Sequence, residues 1–313
     1  MAKKTQTEDL LYSDFAYDDA FRTMETECND LLLPFLNYAF NENYDNTAVI
    51  TRFRNEHFIE HEDHTQEKKI TDSHFEVMQN GIAKRYHLEC ESKPYDKSIL
   101  IRIFEYDAQI AVDDAVTDRQ KIKLRFPHSG LLMLRSNSGT PDDAEVVIET
   151  PQDSISYRIP IIKVSDFTIE ELFEKRLFML IPFYIFNYEK ELPDINGDSE
   201  KLIELTEFYR RIMGKLDELQ AEGELSSFAC GVIISLTHKV LYKLTMKQEA
   251  VQQKVGDIMG GKVLDLPIIR VYHDGLAEGE AKGEAKGEAE RAKLQEENDS
   301  LKKEIERLKA SMS

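Results

Sequence analysis

Asp72, Glu89 and Glu91 are three carboxylates that flank the turn pair Asn80-Gly81. Asn-Gly favours the positive φ angles of a two-residue hairpin turn, so the stretch from Lys69 to Lys93 predicts two antiparallel strands. With that loop Gln79 opposes Ile82. The same register sets Glu76 against Arg85, His74 against His87, and Asp72 against Glu89. Opposed residues share a face, so one face carries Asp72, His74, Glu76, His87, Glu89 and Glu91, while Phe75, Val77, Tyr86, Leu88 and Cys90 line the other. An Asp facing a Glu can hold Mg²⁺ or Mn²⁺, and a metal-activated water beside a charge-neutralised phosphate is what phosphodiester hydrolysis requires. On that reading Asp72 and Glu89 are the ligands, Glu91 lies two residues along the same face, and Lys93 or Arg102 approaches the phosphate. Alternating acids also mark a solvated strand face in an acidic protein. Spacing alone leaves both open.

The elements around the hairpin follow from hydrophobic period. Apolar residues between Asp18 and Phe40 fall at helical spacing, with Pro34 as an expected break or kink, so one or two helices precede it. Asn41 to Glu67 is polar and gives no clear period. Ser98 to Val116 predicts a helix packed through Ile99, Ile103, Tyr106 and Ile110, with Arg102, Tyr106 and Gln109 along one edge. Lys121, Lys123 and Arg125 then alternate with Ile122, Leu124 and Phe126, a strand with a basic and an apolar face. Those cations suit a DNA backbone, or simply protect a strand edge. Further strands are expected at Leu131 to Leu134, Glu145 to Glu149 and Ser154 to Val164. After a cap at Ser165 or Asp166 the pattern turns helical through Ile169 to Tyr188, Glu200 to Ala221 and Ser226 to Lys247. In the tail, Gly275, Gly279, Gly283 and Gly287 recur every fourth residue, and each Gly within a helix costs about 1 kcal/mol against Ala. Beyond them Leu294, Asn298, Leu301, Ile305 and Leu308 carry the spacing of a short dimeric coiled coil.

Composition bounds the function. A chain of 313 residues with 41% hydrophobic content, 16 Phe and 13 Tyr can fill ordinary cores. Its net charge of −19 opposes a polyanion, so any DNA contact must be local. The three cysteines, Cys28, Cys90 and Cys230, form no CxxC pair and read as buried thiols. The first residues lack the apolar segment of a secretory signal, which places the chain in the cytosol. The apolar run Leu177 to Phe186 falls short of the roughly 20 residues a membrane helix needs.

The run ITDSHFEV, the hairpin, YHLECES and ILIRIFEYDAQIA together resemble the PD-(D/E)XK nuclease fold of the Rpn family of recombination-promoting nucleases and transposases. DDAFRTMETECNDLLLPFLN resembles the family's opening helices, and FPHSGLLMLRS, YRIPIIKVSDFTIEELFEKRLFMLIPFYIFNYE, MGGKVLDLP and the Gly-repeat tail extend the likeness over nearly the whole chain. The resemblance implies an α/β fold: a restriction-endonuclease-like core over residues 1–165, a mixed sheet flanked by helices. A helical subdomain over 166–255, a Gly-repeat linker or helix over 256–290 and a coiled coil over 291–313 follow. It implies Asp72 and Glu89 as metal ligands, with Glu27 joining from a helix, and Arg102 and Tyr106 as supports of the phosphate or of the site. Where the family has Gln or Lys, this chain has Glu91, which removes a group that would orient water and offset charge.

The expected function is thus a dimeric, Mg²⁺- or Mn²⁺-dependent DNA endonuclease of recombination or mobile elements, with Asp72, Glu89, Glu91, Arg102 and Tyr106 as its site. The alternative is a catalytically impaired nuclease-like protein that serves as an oligomeric DNA-binding or interaction module. Other clusters read as less specific. His57, His61 and His64 with Glu60 lack a zinc-site order, and His74 with His87 can pair across strands as readily as hold a transition metal.

Overall fold

A computed structural model describes residues 16–53, 56–60, 66–70 and 73–259. Among the described residues two helices come first, α1 (Ala16–Glu27) and α2 (Asn29–Phe40). The break between them falls at Cys28, whose φ of −125° and ψ of 80° leave the helical region, while Pro34 is accommodated inside α2. The left-handed Asn41 closes α2 by returning its amide to the Asn37 carbonyl, as helix C-termini require.

The polar segment that gave no period in sequence holds β1 (Val49–Arg52) and β2 (Glu56–Glu60), and β3 (Gln66–Ile70) begins at its end. β2 and β3 form a two-stranded sheet of their own. The predicted hairpin is present as β4 (Ser73–Gln79) and β5 (Ile82–Glu91), with Asn80 at φ 54° and Gly81 at φ 76°. Its register is the expected one, pairing Gln79 with Ile82, Glu76 with Arg85 and His74 with His87. The next helix, α3, spans Ser98–Asp113. A short ribbon follows, β6 (Val116–Asp118) against β7 (Lys121–Lys123), then β8 (His128–Met133), β9 (Asp143–Glu149) and β10 (Ser154–Lys163).

The main sheet has the order β1-β4-β5-β8-β10-β9. β5, β8 and β10 run parallel at its centre, and antiparallel pairs close both sides. Each face of the central strands has its own core. Phe75, Val77, Tyr86, Leu88, Cys90 and Leu132 pack with α1, α2 and the later helices, while Leu131, Met133, Ala144, Ile159 and Ile161 pack with Ile99 and Ile103 of α3. The alternation of β5 thus directs Tyr86, Leu88 and Cys90 to one layer and His87 and Glu89 to the other. The observed architecture is a mixed α/β sheet flanked by helices.

Beyond the sheet, Thr168 caps α4 (Ile169–Glu174) in a reciprocal box with Glu171, in place of the expected Ser165 or Asp166. The long helix expected through Tyr188 does not continue. Arg176 turns left-handed at φ 58°, and Phe178–Tyr188 forms 3₁₀ turns around Pro182, which has no N–H to donate. Four helices complete the described chain: α5 (Leu192–Gly197), α6 (Ser199–Ala221), α7 (Ser227–Leu244) and α8 (Glu249–Ile258). Asp198 caps α6 and Ser226 caps α7. These helices share one apolar core with α1, α2 and the sheet face they cover. No helix among the described residues is long and apolar enough to cross a membrane. The Gly repeat and the expected coiled coil lie outside the described residues.

Candidate functional site

The polar face of β5 is covered by α3 rather than by solvent. His74, His87 and Glu89 are all buried, and His87 is fully so. A buried ionisable group must be paired or change its charge state. Here the pairing comes from α3. Asp107, also fully buried, places Oδ1 2.7 Å from His87 Nδ1, and His87 Nε2 lies 3.1 Å from Glu89 Oε1. Ser129 of β8 donates to Asp107 Oδ1 at 2.6 Å, and the Tyr157 hydroxyl of β10 donates to Oδ2 at 2.8 Å. Burial alone pushes the His87 imidazole toward neutrality, but hydrogen bonds and charge from Asp107 and Glu89 outweigh it and raise its pKa to about 9. At neutral pH His87 is an imidazolium clamped between two carboxylates. Tyr106 sets its ring edge-on against that imidazolium, with centroids 5.8 Å apart.

Toward the surface the chain of charges continues through Arg102, one turn before Tyr106 on α3. Its guanidinium donates to Glu89 Oε2 at 3.2 Å and to Glu91 Oε2 at 3.1 Å. Glu91 also accepts the backbone N–H of Lys93 at 2.9 Å. Asp18, near the start of α1, is coupled to the same group. Burial raises its pKa to about 6, Arg22 and Arg102 oppose that rise, and Glu91 and Glu89 add to it.

The residues expected at the site are therefore partly assembled. Glu89, Glu91 and Arg102 come together, and Tyr106 supports them through His87. Asp72 lies outside the described residues, as do the side chains of His57, Glu60, His61 and His64. Glu27 is on the exposed flank of α1. The α1 acid that turns inward is Glu25, which is buried and paired with Arg52 at 3.3 Å. Burial raises its pKa, and Arg52 moderates the rise. Asp107, Ser129, Tyr157 and Asp18 were missed in the sequence. Asp107 had a visible signal, since it stands four residues after Ile103 on the packed stripe of a helix, where an acid requires a buried partner. Ser129 and Tyr157 carried none.

The expectation of a Mg²⁺- or Mn²⁺-dependent endonuclease is corrected by this geometry. Among the described residues no group of three or more His, Cys, Asp or Glu side chains is arranged to hold a metal ion. The physical reason lies in the partners. Cations of the chain itself, His87 and Arg102, occupy the carboxylate oxygens of Glu89, and Arg102 takes Glu91 as well. Carboxylates already neutralised and held by hydrogen bonds have little to gain from a divalent ion and would have to break those bonds to accept one.

The arrangement can hold charge in place and tie α3 to the sheet. Comparison with family models, with curated proteins and with solved structures finds no match.

Proposed function

We propose that the chain is a catalytically impaired relative of the PD-(D/E)XK nucleases, of the Rpn type its sequence resembles, and that it works as an oligomeric interaction module. One observation carries this reading: Arg102 bridges Glu89 and Glu91 while His87 grips Glu89 from beneath, so the acidic centre is closed by internal ion pairs. The pairs stabilise the sheet–helix layer and leave the carboxylates without the open coordination that hydrolysis of a phosphodiester needs. Assembly is assigned to the tail, where Leu294, Leu301, Ile305 and Leu308 repeat at coiled-coil spacing with Asn298 as the polar member that sets register. The net charge of −19 disfavours a polyanion as the principal partner.

Two measurements on the full chain test the reading. Supercoiled plasmid incubated with Mg²⁺ or Mn²⁺ is expected to stay intact with the wild-type protein and with Glu89→Ala alike. Nicking by wild type that Glu89→Ala abolishes would overturn the impairment. Light scattering is expected to give a mass above that of a single 36.2 kDa chain. A monomer at all concentrations would overturn the assembly.

A further inference from the structure

Two strands of this chain are complementary to each other, and among the described residues both have a free side. β9 is an outer strand of the main sheet, and among the described residues it is hydrogen-bonded only to β10. Along β9, Asp143, Glu145, Val147 and Glu149 alternate with Ala144, Val146 and Ile148. The acids and Val147 are exposed, whereas Ala144 and Val146 turn toward the core beneath α3. Ile148 shares their face and is opposed by Ile155 of β10, which is exposed.

The β6–β7 ribbon has the opposite sign. Among the described residues its strands pair only with each other, and every residue of both is exposed. From Asp118 to Arg125 the ribbon and the two residues after it hold four basic residues, Arg119, Lys121, Lys123 and Arg125, against one acid. Lys121, Lys123 and Arg125 alternate with Ile122 and Leu124, both open to solvent. The register of the ribbon puts Lys121 and Lys123 on one face beside Asp118 and Val116, and Ile122 on the other beside Thr117.

An exposed strand edge is a template for another strand, and proteins usually blunt it with like charges. The acids of β9 repel a second β9. They attract a strand that is basic at the same period, and β7 is one.

We propose that a second copy of this chain adds its β6–β7 ribbon to the free edge of β9. Backbone pairing would set Lys121 and Lys123 against the acidic face of β9 and bring Ile122 and Leu124 onto the apolar face of Val146, Ile148 and Ile155. In either strand direction two cations reach two carboxylates, because Lys121 and Lys123 match the spacing of Asp143 and Glu145, and Lys121 and Arg125 match that of Glu145 and Glu149. A protein at −19 resists self-contact over most of its surface, so association through an opposite-charge patch is both selective and sensitive to salt. This inference deepens the oligomeric reading above and names the partner and the surface.

Zero-length carbodiimide coupling between lysine and carboxylate, applied to an equal mixture of ¹⁴N- and ¹⁵N-labelled full chain, tests the contact. Mixed-isotope peptides joining Lys121 or Lys123 to Glu145 or Glu149 are expected. Lys121→Glu with Lys123→Glu removes the linkable amines, so its effect is read by light scattering at low salt, where the affinity of the contact should fall about tenfold or more, since two favourable pairs become repulsive. Combining one copy with reversed lysines and one copy with reversed acids, Glu145→Lys with Glu149→Lys, should restore association. Links found only within one isotope, or no links in a sample that light scattering shows to be oligomeric, would overturn this contact and leave tail-driven assembly standing. A sample monomeric throughout would overturn both. If duplex DNA binds the chain and suppresses the links, with binding lost in the lysine reversals, the ribbon's partner is a nucleic acid and the proposal fails.

Discussion

His87 shows how the charge state of one buried residue organises the candidate site. Its proton is retained because Asp107 and Glu89 together overcome the cost of burial, which places the pKa at about 9 against an ordinary 6.5. A cation whose pKa is higher in the folded than in the unfolded chain stabilises fully below about 6.5, and the contribution disappears as pH rises through about 9. Thermal midpoints of wild type are therefore expected to fall between pH 6.5 and 9.5, and the fall should be smaller in His87→Gln. An equal slope in the two proteins would place the titration elsewhere. Asp107→Asn leaves the imidazolium with one anionic partner and should cost about 3–5 kcal/mol in urea unfolding. Arg102 is partly exposed, so solvent screens its loss, and Arg102→Ala is expected to cost about 1–2 kcal/mol. The ranking of the two variants is the sharper test: if Arg102→Ala proved the more destabilising, the network would be anchored at its surface end.

At the scale of the element, the site depends on α3 lying close over β5 and β8. Strand β8 makes the other face compact through Gly130, where an added Cβ would sit 2.9 Å from Phe40 Cζ and 3.2 Å from Leu88 Cδ2. Gly130→Ala should therefore destabilise the chain by about 1–3 kcal/mol, as overpacking of a close contact does. A thermal midpoint within a degree of wild type would show that the Phe40 ring yields freely. Gly130 is not a turn glycine, and its role follows from the approach of α2 to the sheet. The same scale explains why Asn80-Gly81 succeeded as a predictor while the polar stretch after Asn41 did not. The turn pair specifies local backbone angles, whereas β1 is held by pairing with β4 and by Arg52, whose guanidinium bonds the Glu25 carbonyl and Asn29. Those partners are more than twenty residues away, and nothing in the local period announces them.

For the whole molecule, the balance of charge decides what kind of partner is accessible. Four basic side chains on and just after an exposed ribbon stand out against a net −19, so ionic strength should govern any contact the ribbon makes. Tail-driven assembly responds differently. Deletion of Lys293 to Ser313 should lower the mass seen by light scattering at both low and high salt, and an unchanged mass would remove the coiled coil from the account. The plasmid experiment also belongs to this scale, because the proposed loss of hydrolysis would follow from the closed charge network and from the helix that closes it.

By itself the sequence determined the Asn-Gly hairpin, its register through His74 and His87, the amphipathic α3, and the first half of the basic strand, which ends at Lys123 instead of running to Phe126. Each follows from local backbone preference or from a short hydrophobic period. Tertiary structure alone decided what the acids of β5 face. Alternation divided the residues of that strand between two faces but could not say that both faces are covered, or that α3 would bring Asp107 and Arg102 onto one of them. Asp72, Glu89 and Glu91 read as an acidic centre fit for a divalent cation when only their own strands are considered. With α3 in place, Glu89 and Glu91 are bound to cations of the chain, and the long-range contacts that supply those cations leave no periodic trace in the sequence.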